Sequence, residues 1–173
     1  MGPGGGRMSA NDVGAEELLT VHIVGLPVDV QRRSQQHADE LIRELTLVAE
    51  GLRQQGNSGE LPARLVEVVD QLTHTYSGFT AEQEQQLADA IAAGYQTLDL
   101  DYVLPASVTD AVRTLSDILD EADEYCRAGQ HLLTLATPPE LVTYRRWYLD
   151  EFTRQAAGAQ PTSWAEHQAQ REA

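Results

Sequence analysis

Three segments of the chain repeat one pattern: a short β-like run that ends in proline and leads into an amphipathic helix. The β-like runs are LTVHIVGLP (19–27), TLDLDYVLP (97–105) and HLLTLATPP (131–139). Proline fixes φ and biases the residue before it toward extended structure, so it suits the end of a strand or the first turn of a helix. The pattern therefore predicts a mainly helical α/β domain with a small sheet of two or three strands.

Helices are expected after each β-like run and in the segment between the first two. The run LPARLVEVVDQLTHTY (61–76) has an apolar stripe at helical spacing. SGFT follows it, and Gly78 is typical of a helix C-cap. Thr80, with Gln83 three places later, fits the capping box of a new helix. This segment predicts a helical hairpin and brings the expected total to about five helices.

A chain of 173 residues is long enough for one domain with its own core. The glycine-rich start predicts a disordered tail over residues 1–18. The globular domain is then expected over 19–157, and a polar C-terminal tail over 158–173. That tail carries Trp164 in the run AQPTSW.

The net charge of -15 limits the classes of partner. A field of this sign repels nucleic-acid phosphates and anionic lipid, so we expect neither nucleic-acid nor membrane binding. No apolar run approaches the roughly 20 residues that span a bilayer, and the start lacks the apolar core of a signal peptide. A cytoplasmic location is the resulting expectation.

Motifs that carry known chemistry are missing from the sequence. Cys126 is the only cysteine, which excludes an internal disulfide and a CxxC metal site. The histidines lack metal-ligand spacing, and there is no phosphate-binding glycine loop or GxSxG elbow. We therefore predict no catalytic residues, metal or cofactor. A hydrolase or metalloenzyme around His37 stays open, since its partners would come from other segments.

The richest stretch is TLATPPELVTYRRWYLDEF (134–152), whose helix is expected from Glu140. At about 100° per residue, Arg145 falls on the apolar face together with Tyr144 and Tyr148. A buried guanidinium needs a carboxylate, and Asp99 or Asp101 is the expected partner. With His37, these three residues would line a ligand pocket, which is one of two functional hypotheses.

The other hypothesis is a surface that binds a protein. Trp147, flanked by arginine, has the composition of an interface hot spot, although the C-terminal tail could instead cover it. The acid-rich helix after Pro105 offers a second contact region, or only a solvated face. The predicted contact residues are Arg146, Trp147, Glu151, Arg154, Asp117, Asp120, Glu121 and Glu124.

The runs LLTLATPPE (132–140) and RRWYLDEF (145–152), with GLPV (25–28) and HADELIRELTLVAEG (37–51), carry a family resemblance. The chain resembles small actinobacterial proteins of undefined role that accompany anti-sigma kinases, STAS-domain antagonists and serine phosphatases. The resemblance covers most of residues 20–164 and transfers no catalytic residue. The chain lacks the asparagine and glycine boxes of the ATP-binding kinase itself.

The resemblance implies a non-enzymatic regulatory protein that acts as an accessory in sigma-factor partner switching. Its partner would be another protein, such as an anti-sigma kinase or a STAS-domain protein, and a homodimer is also open. The alternative is a small-molecule or signal sensor with its pocket beside helix 140–157.

Overall fold

Five helices pack on a two-stranded antiparallel sheet in this computed structural model, which describes residues 17–56, 60–129 and 136–172. The predicted mainly helical α/β fold is confirmed. Most of the third β-like run, residues 131–135, lies outside the described residues. The elements are β1 (Leu18–Pro27), α1 (Val28–Gln54), α2 (Glu60–Ala93), β2 (Thr97–Pro105), α3 (Val108–Ala128), α4 (Pro139–Ala156) and α5 (Trp164–Glu172).

The sheet has one buried face and one exposed face. Alternate residues of a strand point to opposite faces. The buried face contributes Val21, Ile23, Leu100, Tyr102 and Leu104 to a core that also contains side chains of α2, α3 and α4. A second cluster fills the space between α1, α2 and α3, with Leu41, Leu45, Leu65 and Ile118 at its centre.

Both strands of a two-stranded sheet are edges, and a glutamine side chain bonds to each edge at the same cross-strand pair. His22 lies opposite Asp101 in the register. The Gln155 amide accepts from the His22 N–H (2.9 Å) and donates to the His22 carbonyl (2.8 Å). On the other edge, Gln83 Nε2 donates to the Asp101 carbonyl. The two side chains satisfy backbone groups that would otherwise be open to another strand.

The predicted helical hairpin is wrong, because α2 is one continuous helix of 34 residues that passes through Gly78. Inward positions continue at spacings of three and four on both sides of the glycine, from Leu72 and Tyr76 to Gln83 and Leu87. Burial along this line outweighs the cost of a glycine in a helix interior, about 1 kcal/mol. The capping box does not form, since Gln83 instead bonds to strand β2.

The helix ends at the next glycine. Gly94 takes a φ of 74°, in the left-handed region that favours glycine, and the Tyr95 N–H donates to the Ala90 carbonyl at 2.9 Å. This bond and the positive φ are those of a Schellman C-cap.

The ends of the chain extend the predicted domain. Strand β1 begins at Leu18, the last residue of the predicted tail, while residues 1–16 lie outside the described part. In the predicted C-terminal tail, α5 places Trp164 in the main core. Among the described residues, no helix is long and apolar enough to cross a membrane.

Substitution by alanine should have opposite effects on the free energy of unfolding at Gly78 and at Gly94. Gly78 is exposed with open space around its Cβ position, so Gly78→Ala should raise the free energy of unfolding by about 0.5–1 kcal/mol. Gly94→Ala should lower it by about 1 kcal/mol, because alanine is strained at positive φ. Urea denaturation of both variants measures the two signs. A loss of stability in Gly78→Ala would instead indicate that the helix is interrupted at Gly78.

Candidate functional site

A cleft of about 320 Å³ lies between α2, β2, α3 and α4, with residues of α1 at its border. The inward face of β2 forms its floor, and the long helix α2 forms one wall. Its lining is mainly apolar, since α2, α3 and α4 each turn their apolar stripe toward it. The apolar lining includes Leu72, Leu87, Leu104, Val112, Leu115 and Phe152.

Polar groups also converge on this cleft. Tyr102 on β2 and Tyr148 on α4 share a hydroxyl–hydroxyl hydrogen bond of 2.8 Å. Burial is the main cause that raises the pKa of Tyr102 above 10 and that of Tyr148 well above it. Both hydroxyls therefore stay protonated at neutral pH and act as hydrogen-bonding groups. The other polar residues of the lining are Tyr76, Thr80, Gln83 and Glu84 on α2 and Gln31 and Gln35 on α1.

Gln83, like Tyr102 and Glu84, lines the cleft although sequence reasoning did not select it for a site. It is 8% exposed, and its Oε1 has no hydrogen-bond partner among the described residues. The available signal was its place at a core position of the α2 stripe, between Tyr76 and Leu87. A polar side chain at such a position needs a partner inside the protein.

A smaller cavity of about 260 Å³ adjoins the cleft between α1, α3 and α4. The structure brings together here all four residues of the predicted ligand pocket, His37, Tyr144, Arg145 and Tyr148. Tyr148 also lines the larger cleft. His37 Nε2 lies 3.2 Å from Thr137 Oγ1, and the Tyr144 hydroxyl donates to Gln31 Oε1 at 2.5 Å.

Arg145 does meet carboxylates, but they are not the expected ones. Its guanidinium lies 2.5 Å from Asp120 and 3.0 Å from Asp123, both on α3, and its side chain is 11% exposed. Asp99 and Asp101 lie on the exposed face of the sheet, because the pleat turns them away from the buried Leu100 and Tyr102. Their oxygens bind the Gly25 N–H and His22 Nδ1 instead.

Trp147 is buried inside the protein, so it is not available to a partner as the interface hypothesis required. It is 2% exposed, its Nε1–H donates to the Thr162 carbonyl at 2.9 Å, and its ring lies 5.4 Å from that of Trp164. The alternative that the C-terminal segment covers it is confirmed. Glu151 is also buried, and it accepts hydrogen bonds from Arg154, Gln155 and the Thr162 N–H.

The four acids of α3 that were predicted as contact residues divide into two groups. Asp120 is bonded to Arg145 and, at 2.8 Å, to Arg146, while Glu121 pairs with Arg64 at 2.6 Å. Asp117 and Glu124 are exposed and form no ion pair within the described residues. Of the eight predicted contact residues, these two are the acids left open to solvent without an internal ion pair.

Burial alone would raise the pKa of Asp120. The hydrogen bonds and charges of Arg146 and Arg145 together outweigh that effect, so the pKa lies below its ordinary value of 3.8. Asp120 joins α3 to α4 through both arginines, and its ionised form is the one that stabilises the fold.

Within the described ranges, no group of three or more histidine, cysteine, aspartate or glutamate side chains could hold a metal ion. No family model, curated protein or solved structure matches the chain. The cleft and the exposed acids of α3 are therefore the features on which a function can be argued.

The lowered pKa of Asp120 predicts a pH-dependent contribution to stability. That contribution is present above about pH 4, the pKa of an unfolded aspartate, and is lost as the pH falls through the lower folded-state pKa. Asp120→Asn should lower the unfolding free energy at pH 7 by about 1 kcal/mol, a small value because the carboxylate is partly solvated. Chemical denaturation between pH 2 and pH 7 should show the difference from wild type shrinking toward acid.

Asp117→Asn on the same helix is the matched control, since Asp117 is exposed. It should change stability by less than about 0.5 kcal/mol at every pH. A deficit in Asp120→Asn that stayed constant into acid would contradict the assignment.

Proposed function

We propose that the protein is a small-molecule sensor whose ligand binds in the cleft between α2, β2, α3 and α4. The observation that carries the proposal is a cavity with mainly apolar walls on which a few polar groups converge, Gln83 and the pair Tyr102–Tyr148 among them. Cavities of about 300 Å³ and more with this lining are typical of small-molecule sites.

The placement of the predicted interface residues favours the cleft over the Trp147 surface. Trp147 and Glu151 are buried. Asp120 and Arg146 bond to each other across α3 and α4. Side chains that are buried, or that already bond to one another, have little to offer a partner without breaking those contacts.

The cleft is also placed where a ligand would affect the whole domain. Its walls come from elements that are far apart in the sequence, with Leu72 on α2, Leu100 on β2, Val112 on α3 and Phe152 on α4. A ligand in contact with all four elements stabilises their association by mass action. The stability of the domain would then depend on the concentration of the ligand, as a sensor requires.

Filling the cleft should weaken ligand binding. Ala111 lines the cleft and is half-buried, so Ala111→Phe places a ring in the space. The neutral fluorophore N-phenyl-1-naphthylamine should bind the wild type saturably, and Ala111→Phe should weaken it at least about tenfold, since occupied volume excludes the probe. Fluorescence titration measures both affinities.

Ala92→Phe is the control, because Ala92 is exposed on α2 and is not part of the cleft lining. It should bind the fluorophore as the wild type does, and circular dichroism checks that both variants fold. Equal uptake by Ala111→Phe and the wild type would rule out the cleft as the site.

We also propose that the sensor reports to a protein partner in the manner of a partner-switching accessory. The support is the resemblance carried by LLTLATPPE and RRWYLDEF, together with the exposed Asp117 and Glu124 on α3. A basic surface on an anti-sigma kinase or a STAS-domain protein would complement these acids. The encounter would take place in the cytoplasm.

Charge reversal on α3 should weaken this association. Each protein encoded beside the gene is purified and titrated against the wild type and against the double variant Asp117→Lys/Glu124→Lys, by calorimetry at low and at physiological salt. One of them should bind the wild type and should bind the double variant at least about tenfold more weakly, because rim charges act through long-range attraction.

The double variant Asp39→Lys/Glu67→Lys, at exposed positions on α1 and α2, provides a matched change of charge elsewhere on the surface and should bind as the wild type does. No binding by any neighbour, or equal loss in the two variants, would refute the proposed contact.

A further inference from the structure

We infer that the ligand of the cleft is an apolar amine, bound as the ammonium ion. This inference rests on the proposed ligand-binding function and adds the chemical class of the ligand. Three features of the cleft support it: an unsatisfied acceptor, the sign of its charge and its aromatic lining.

The unsatisfied acceptor is the side-chain carbonyl of Gln83. Its Nε2 donates to the backbone carbonyl of Asp101, and this fixes the orientation of the amide, since the opposite orientation would set two carbonyl oxygens against each other. Oε1 is therefore the atom left over, buried and without a partner among the described residues. A ligand N–H in the cleft would satisfy an acceptor that is otherwise costly to bury.

The charge of the cleft selects against anions. Glu84 is the one charged side chain in its described lining, which contains no lysine, arginine or histidine. The Glu84 carboxylate accepts from Thr80 Oγ1 at 2.9 Å, and its charge contributes to the raised pKa of Tyr102. An anionic ligand would meet this carboxylate in a chain that already carries a charge of -15. A cationic ligand would be attracted.

The aromatic lining suits a cation with a hydrocarbon body. Tyr76, Tyr102, Tyr148 and Phe152 all line the cleft. Aromatic faces attract ammonium groups through the ring quadrupole, and the effect strengthens as water is excluded. The leucine and valine side chains between them would hold the apolar part of the ligand. An ammonium head near Gln83 and Glu84 and a hydrocarbon body toward α3 and α4 would match both kinds of lining.

An isosteric series of ligands tests the inference. 4-Phenylbutylamine, 4-phenylbutanol and 5-phenylpentanoate share one phenylbutyl body and differ in the charge of the head group. Each is used to displace N-phenyl-1-naphthylamine from the full-length protein. The amine should bind at least about tenfold more tightly than the alcohol, and the carboxylate should bind most weakly, since only the amine both donates to Gln83 and neutralises Glu84.

Two variants test whether Glu84 and Gln83 cause the preference for the amine. Glu84→Gln, at an exposed position, should reduce the preference for the amine over the alcohol by about tenfold, because it removes the charge and keeps the shape. Gln83→Met should weaken the amine and the alcohol more than it weakens the neutral fluorophore, whose single N–H is crowded by two aromatic groups. Glu82→Gln, exposed on the same helix and outside the cleft lining, should leave the whole series unchanged.

The outcomes separate the two proposals. If the wild type binds the fluorophore but the carboxylate displaces it as well as the amine does, the ammonium assignment is wrong and the ligand-binding function stands. The ammonium assignment is equally wrong if Glu84→Gln keeps the full preference for the amine. If the wild type takes up no fluorophore at all, the ligand-binding function fails, and the inference fails with it.

Discussion

The buried carboxylate of Glu151 is the group on which much of this fold depends. A charge that is 1% exposed is tolerated only where its oxygens are fully bonded, and here the donors are Arg154, Gln155 and the Thr162 N–H. Gln155 in turn bonds both backbone groups of His22, so the same carboxylate positions the edge of β1. Through Thr162 it also holds the segment that brings Trp164 onto Trp147. One position of α4 thus ties together the sheet, the helix and the C-terminal segment.

A second set of charges joins the two helices that border the cleft, α3 and α4. Arg145 and Arg146 both bond to Asp120, and Arg145 also contacts Asp123, so α4 is held against α3 within one helical turn. The cleft lies further along the same helix pair, toward the start of α3 and the end of α4, where its lining side chains are apolar or aromatic. These ion pairs therefore fix how α3 and α4 pack beside the apolar and aromatic lining of the cleft. The arginines that the sequence suggested as a site therefore act in the framework around it.

The success and failure of sequence reasoning follow from the range of the interactions involved. The strict alternation in TLDLDYVLP was sufficient to predict the buried face of β2, because the strand period is local. The prediction failed at Gly78, where a local stop signal was weighed above an apolar stripe that continues to Gln83 and Leu87. That stripe has its meaning only when α2 packs on the sheet, so a tertiary contact decided against the local preference. For Arg145 the prediction was half right. The sequence indicated that its guanidinium needs a carboxylate, but it did not indicate that Asp120 is the partner.

The sequence by itself determined the class of fold, the inward face of β2, the need of Arg145 for an acid and the gathering of apolar side chains on α4. Each of these follows from residue chemistry and from periods of two or 3.6, which extend over a few residues. Only the tertiary structure decided that Trp147 is buried under Trp164, that Gln83 bonds an edge of the sheet, and that His37 lies beside Tyr144 and Arg145. These facts join residues up to about a hundred positions apart, for example His37 and Thr137. Their distance is set by how whole helices pack, which no local pattern encodes.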